Sequence, residues 1–134
     1  MTHSESKYAI VAVEAACAAS DGVHPIAAWK ASAAKLFVDS PSGERKSCPK
    51  SAFLGLAESG QIAGVKQGKY TKSTDNKRYA ETALTLLRAN ESWEKSPLEL
   101  WLRVMDGSNK KHNSQMDVVI ALWRAKKFVG QGTR

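Results

Sequence analysis

Hydrophobic residues recur at intervals of three and four along most of the chain, the spacing that places side chains on one face of an α-helix. Short polar stretches that contain Gly or Pro interrupt this pattern at several points. Helix-starting and helix-ending residues flank most of the periodic segments, so each segment is read as a separate helix. The predicted helices cover residues 8–20, 25–37, 49–59, 74–90, 97–105 and 114–123.

The clearest helix start lies at Ser96, because Glu99 follows it at the spacing of a capping box and Pro97 fits the first helical turn. The helix before it is expected to be capped by Thr74 or Asp75. Hydrophobic periodicity then predicts the core face of both helices. The expected core residues are Tyr79, Ala83, Leu86 and Leu87 in the earlier helix, and Leu98, Trp101, Leu102 and Met105 in the later one.

The last predicted helix is the most hydrophobic. Residues 118–123 form one continuous apolar run, and a helix that is apolar nearly all round is usually buried on most sides. We therefore place this helix at the centre of the fold, with Asn113 or Ser114 as its N-cap. Its predicted core face consists of Met116, Val119, Ile120 and Trp123.

The segments between the helices carry turn signals rather than strand signals. Residues 39–47 are rich in Ser, Pro, Gly and charge, and they predict an exposed loop. Residues 62–65 are apolar but too short for an independent sheet, so they predict at most a β-bridge or a turn. The expected fold is all-α: one compact domain over residues 1–134, with five or six helices around the C-terminal one and frayed ends at residues 1–5 and 130–134.

The composition is that of a folded domain: 43% of the residues are hydrophobic and 25% are charged, whereas a disordered chain has few hydrophobic residues and a high charge. Cys17 and Cys48 lack the spacing of a metal or redox motif, so we expect neither a metal nor a cofactor. The N-terminal stretch contains neither the hydrophobic segment of a signal peptide nor a membrane span. These features predict a cytoplasmic protein without membrane contact.

Net charge favours an anionic partner, because 20 Lys and Arg residues against 13 Asp and Glu give a formal charge of +7. Two segments combine this charge with turns that lead into helices, where backbone amides attract anions. The first spans residues 66–73 and continues into the next helix, and the second spans residues 110–113. The candidate anion-binding residues are Lys66, Lys69, Tyr70, Lys72, Lys77, Arg78, Lys110, Lys111, His112 and Asn113.

The first of these segments is not a nucleotide-binding P-loop, because Gly64 is one residue too close to Gly68 and Tyr70 replaces the required Ser or Thr. The alternative for this segment is an exposed connector with Tyr70 packed on a neighbouring helix. The alternative for the second segment is a solvated turn. His112 is a weak candidate for an acid or base, since neighbouring lysines favour its neutral form and no nucleophile is identifiable beside it.

Three functions are compatible with these patterns. The first is a small binding or regulatory module for an anionic partner, either nucleic acid or a phosphate-bearing ligand, in which the two lysine segments converge on one site. The second is a small enzyme acting on a phosphorylated metabolite, with His112 as acid or base. The third is a protein-interaction subunit without a small ligand.

Parts of the chain resemble a group of short bacterial cytosolic proteins known only as a domain of unknown function. The resemblance lies in AFLGL at 52–56, in GKYT at 68–71 with Asn76 and Tyr79, and in KKHN at 110–113 followed by QMDVV at 115–119. It covers most of the chain. It implies a bacterial cytosolic setting and brings no activity with it.

Overall fold

The computed structural model describes residues 6–131, and within them the fold is all-α, as the periodicity predicts. A 3₁₀ helix, Glu91–Lys95, lies between the fifth and sixth α-helices. The part of the chain that the structure describes contains no β-strand. The α-helices are α1 (Lys7–Ser20), α2 (Pro25–Leu36), α3 (Pro41–Glu44), α4 (Ser47–Glu58), α5 (Thr74–Ala89), α6 (Pro97–Met105) and α7 (Gln115–Arg124).

Helix starts follow local chemistry closely. The Oγ of Ser96 accepts a hydrogen bond from the Glu99 amide at 3.1 Å, which confirms the predicted cap of α6. In α5 the capping residue is Ser73, whose Oγ accepts from the Asn76 amide, so the prediction of Thr74 or Asp75 is wrong by one or two residues. At both of these starts a serine hydroxyl accepts from the amide three residues ahead.

Residues 39–47 are not wholly a loop, since they contain the one-turn helix α3 and the start of α4. The Oγ of Ser40 accepts from the Gly43 amide, and the hydroxyl of Tyr8 donates to the Gly43 carbonyl at 2.8 Å. The predicted exposed loop is thus partly helical, although none of these residues is buried, because a tertiary contact from α1 fixes a turn that the composition leaves open.

Helix α7 packs against α1, α4, α5 and α6, which confirms its predicted central position. Its buried residues lie on nearly every side of the helix: Gln115, Met116, Val118, Val119, Ile120, Ala121 and Leu122. Trp123 packs against this core but is only half-buried, so it lies at the edge of the predicted core face. The helix ends one residue later, where the surrounding helices no longer enclose it.

The core face of α6 also differs from the prediction. Leu98 and Leu102 are 59% and 61% exposed, whereas Leu100, Trp101 and Met105 are buried. The i, i+3, i+4 spacing of the apolar residues fits more than one side of this helix, and the prediction did not use its two charges. Glu99 and Arg103 mark the polar side, and the buried Trp101 lies opposite them. In α5 the buried side likewise lies at Ala80, Ala83, Leu84 and Leu87, which leaves Tyr79 and Leu86 half-buried.

An antiparallel β-bridge joins Ile62 to Phe128, in agreement with the β-bridge or turn predicted at most for residues 62–65. The Ala63 amide donates to the Lys127 carbonyl and the Val129 amide donates to the Gln61 carbonyl, both at 2.8 Å. The connection between α4 and α5 is thus tied to the segment after α7.

Frayed ends were predicted at residues 1–5 and 130–134, of which residues 1–5 and 132–134 lie outside the described residues. Gln131 was included in the same prediction, yet its side-chain amide donates to the Trp123 carbonyl at 2.7 Å, and its Oε1 accepts from the Phe128 amide. These two bonds attach the described C-terminal end to the helix that precedes it.

Helices α4 and α5 approach each other closely at Gly55. A Cβ atom added at Gly55 would lie 2.6 Å from the Cβ of Lys77, a distance that real side chains do not reach. Only glycine permits this approach. It brings the first turns of α5, and the lysine segment that leads into them, onto α4.

Candidate functional site

The first lysine segment is anchored to α4 by Glu58. The Oε1 of Glu58 accepts from the amides of Tyr70 at 2.8 Å and Thr71 at 3.1 Å, and its Oε2 accepts from the Lys77 ammonium at 2.8 Å. The Lys77 ammonium, then the Tyr70 amide, lower the pKa of Glu58 to about 2, against an opposing effect of burial. Lys77, a predicted anion ligand, is thereby paired with a carboxylate of its own chain.

The lysine segment also closes on itself through Tyr70. The Tyr70 hydroxyl donates to the Lys66 carbonyl at 2.6 Å, and a Cβ added at Gly68 would lie 2.8 Å from the tyrosine ring. The ring of His24, at the start of α2, meets the Tyr70 ring edge-on at 5.3 Å. The turn is therefore held in one conformation, while the side chains of Lys66, Lys69 and Lys72 are exposed.

A chain of hydrogen bonds joins the start of α5 to the second lysine segment. The Asn76 side-chain amide donates to Ser73 Oγ at 2.9 Å, and Asn76 Oδ1 accepts from the side-chain amide of Gln115 at 3.0 Å. The Oε1 of Gln115, a buried residue, accepts from the Asn113 amide at 2.6 Å. The first turn of α5 and residues 110–113 are thus brought together. Among the described residues, no hydrogen bond joins Lys69 or Tyr70 directly to Lys110 or His112.

His112 caps α7. Its Nε2 accepts from the Met116 amide at 3.0 Å, and its half-buried ring lies 5.2 Å from that of Trp101. Ser114 holds the N-cap position, as one of the two predicted alternatives has it, but with a left-handed φ of 70° its side chain makes no capping bond. Burial lowers the pKa of His112, Lys46 lowers it further, and Asp117 opposes both. The neutral imidazole that results can accept the amide hydrogen.

A cleft of about 280 Å³ opens between α5, the end of α6 and the connection that follows α6. Two of the predicted anion-binding residues lie at its walls, and both are exposed. The Asp75 carboxylate pairs with the guanidinium of Arg78 at 3.3 Å and with the ammonium of Lys110 at 3.5 Å. The lining residues are Arg78, Tyr79, Thr82, Val104, Met105, Ser108 and Lys110.

Tyr79 forms the aromatic wall of this cleft. Its ring meets the Trp101 ring edge-on at 5.3 Å, and the Trp101 indole nitrogen donates to the Lys110 carbonyl at 3.0 Å. The Arg78 guanidinium lies 5.6 Å, and the Lys110 ammonium 5.9 Å, from the centre of the Tyr79 ring. Proximity to the Tyr79 hydroxyl, and then to Asp75, raises the pKa of Lys110, so this ammonium stays charged. Two cations therefore lie close to one half-buried aromatic ring.

A comparison with protein-family models gives the chain its family. The model of DUF6979, described as a family of unknown function, matches residues 5–129. The chain belongs to this family. No curated protein and no solved structure matches it. The region matched to DUF6979 includes both lysine segments and every residue of the cleft.

Several residues that shape this site in the DUF6979 chain were not identified from the sequence. Glu58 and Gln115 were missed because their partners lie 12 to 39 positions away along the chain. Tyr79 was assigned to the core, although its position directly after Arg78, at the start of a helix, was a usable signal.

A larger cleft of about 690 Å³ lies between α1, the 3₁₀ helix, α6 and α7, away from the predicted site residues. Its charged residues have mixed signs, and Glu94 and Arg124 pair with each other at 3.5 Å. Within residues 6–131, no group of three or more His, Cys, Asp or Glu side chains is placed to hold a metal ion. The described helices include none with the length and hydrophobicity needed to cross a membrane.

Proposed function

We propose that this chain is a small binding module for an anionic partner, and that the partner is a nucleic acid. The observation that carries the proposal is a set of exposed lysines in the two lysine segments, residues 66–73 and 110–113. In the part of the chain that the structure describes, no ion pair involves these four side chains: Lys66, Lys69, Lys72 and Lys111. Their charge is available to an external anion.

An extended polyanion fits these lysines better than a single phosphate group does. A compact phosphate site uses backbone amides that point into one concavity. Here the amides of Tyr70 and Thr71 already donate to Glu58, and the Met116 amide donates to His112. The remaining donors are flexible, separated ammonium groups, which suit the regularly spaced phosphates of a nucleic acid backbone.

Binding is favoured over catalysis because His112, the one candidate acid or base, uses its Nε2 to cap α7. Among residues 6–131, no side-chain hydroxyl or thiol hydrogen-bonds to the His112 ring. Our proposal also places this chain in the bacterial cytoplasm, in keeping with its free cysteines and with the resemblance described above.

The salt dependence of binding tests this proposal. Fluorescence anisotropy with a fluorescein-labelled oligonucleotide should show affinity that falls steeply with salt, by roughly 0.7–0.9 in the log–log slope for each phosphate neutralised. The double variant Lys72→Glu, Lys111→Glu should weaken binding about tenfold or more at low salt and make the slope shallower by about 2.

A matched control carries the same charge change on other elements. Lys30 on α2 and Lys95 on the 3₁₀ helix are exposed and unpaired among the described residues, and their reversal to Glu should weaken binding far less. Equal losses of affinity in the two double variants would assign the binding to net charge rather than to the two lysine segments. Affinity that does not change between low and moderate salt would rule out a polyanion partner.

A further inference from the structure

Two leucines of α6 face solvent one helical turn apart. Leu98 and Leu102 are 59% and 61% exposed, and residues four positions apart lie on the same side of a helix. Single exposed hydrophobic side chains are ordinary on a protein surface, but these two form an apolar column that no other element covers. The other exposed large hydrophobic residues within residues 6–131 are three valines in separate connections: Val23, Val38 and Val129.

A charged column runs beside the two leucines. Glu99 and Arg103 each follow one of the leucines by one position, and both are exposed. A Glu four residues before an Arg is well placed to pair with it along a helix. Within the described part of the chain, however, neither side chain takes part in an ion pair. Both charges are therefore available to a partner.

The two columns are complementary to themselves. When two copies of a helix pack antiparallel about a two-fold axis, the first residue of a column faces the last residue of the same column in the other copy. Leu98 then lies opposite Leu102 of the partner subunit, and Glu99 lies opposite Arg103 of the partner subunit. The centres of the two columns differ by one residue, about 1.5 Å along the helix, so one arrangement serves both columns.

We propose that the outer side of α6 is a contact between two copies of this chain, which pack there as an antiparallel helix pair. Opposite charges that meet across the two-fold axis favour a second copy, whereas the carboxylate of Glu99 repels a polyanion. The contact is small, since α6 has nine residues and is about 14 Å long, and it buries less than the roughly 1,600 Å² of a standard interface. The dimer is accordingly weak, with a dissociation constant on the order of 100 µM.

Sedimentation equilibrium of the full chain tests the dimer without any nucleic acid, so its result is independent of the function proposed above. Between roughly 10 µM and 1 mM protein, the average mass should rise from that of one chain toward that of two. The buffer contains about 0.15 M salt, because the repulsion between two chains of net charge +7 is then screened beyond about 8 Å.

Two charge reversals test the pairing across the axis. Glu99→Arg places arginine opposite arginine, and Arg103→Glu places glutamate opposite glutamate, so each variant alone should associate about tenfold more weakly than wild type. An equimolar mixture of the two should associate about as tightly as wild type, because every charge then meets its opposite. The two variants change the net charge in opposite directions, so an effect of net charge alone would weaken one and strengthen the other.

A third variant tests the leucine column, and two controls match the charge reversals. Leu102→Gln should weaken association about tenfold, because it removes apolar area from both halves of the contact. Asp39→Arg and Lys30→Glu make the same charge changes at exposed positions outside α6 and should change affinity by less than about twofold. Thermal unfolding of dilute samples checks that each variant folds, as expected for exposed side chains.

Three results would contradict the proposal. A wild-type chain that stays monomeric up to about 1 mM would overturn the dimer. Association that survives both Glu99→Arg and Leu102→Gln would place the contact away from α6. A mixture of the two charge variants that associates no more tightly than either one alone would overturn the antiparallel arrangement.

Discussion

Glu58 is the residue whose removal should most clearly test the account of the lysine segment. Its carboxylate accepts three hydrogen bonds, from the amides of Tyr70 and Thr71 and from the ammonium of Lys77. The Glu58 side chain is 12% exposed and that of Lys77 is 27% exposed, so solvent screens this pair only partly. Glu58→Ala removes all three bonds, and Glu58→Gln removes the charge but keeps an acceptor.

The expected loss of folding stability can be obtained from the pKa of Glu58. A pKa of about 2, against the ordinary 4.5, favours the charged form in the folded state by about 3 kcal/mol, at about 1.4 kcal/mol for each pH unit. Glu58→Ala should therefore lower the free energy of unfolding by about 3 kcal/mol at pH 7. Glu58→Gln should lower it by about 2 kcal/mol, because a neutral acceptor still bonds the two amides.

The contribution of Glu58 to folding stability depends on pH in a definite direction. Because the folded-state pKa of Glu58 is lowered, its stabilising contribution is complete above pH 4.5 and disappears as the pH falls toward about 2. The difference in the free energy of unfolding between wild type and Glu58→Gln should accordingly become smaller as the pH is lowered from 4.5 to 3.

Urea unfolding followed by circular dichroism at 222 nm measures both effects. Glu91→Ala is a suitable control, since Glu91 is exposed and makes no ion pair among the described residues, and it should change stability by less than about 0.5 kcal/mol. A loss below about 1 kcal/mol for Glu58→Ala at pH 7 would contradict the reasoning. So would a wild-type advantage over Glu58→Gln that is the same at pH 3 and pH 7.

Two further predictions concern α7 and the core. His112→Ala should cost about 1 kcal/mol at pH 7.5 because α7 loses its cap, and the difference from wild type should shrink toward pH 5. The lowered pKa of His112 means that its contribution is present above about pH 6.5 and is lost as the pH falls below it, which urea unfolding at several pH values would detect. Trp123→Ala should cost only about 1–2 kcal/mol because Trp123 is half-buried, whereas Trp29→Ala should cost about 3–5 kcal/mol because Trp29 is 1% exposed. Equal losses for the two tryptophan variants in thermal unfolding would contradict this assignment.

The sequence by itself determined the helices and most of their ends. A helix start depends on a few consecutive residues, so Pro25 at the start of α2 and Ser96 before α6 could be recognised without knowledge of the fold. The central place of α7 could also be predicted from the sequence. Residues 118–122 are apolar on every side of the helix, and such a helix is stable only where neighbouring elements bury every side.

Only the tertiary structure decided which side of an apolar helix is buried and which polar groups pair. The exposure of Leu98 and Leu102 depends on where α5 and α7 lie, because the apolar residues of α6 extend round more of the helix than its neighbours cover. Charge composition likewise marked the lysine segments but not the pairing of Lys77 with Glu58, which lies 19 positions away. Periodicity records local geometry, whereas ion pairs, caps such as His112 and the aromatic wall at Tyr79 depend on contacts between segments that are distant along the chain.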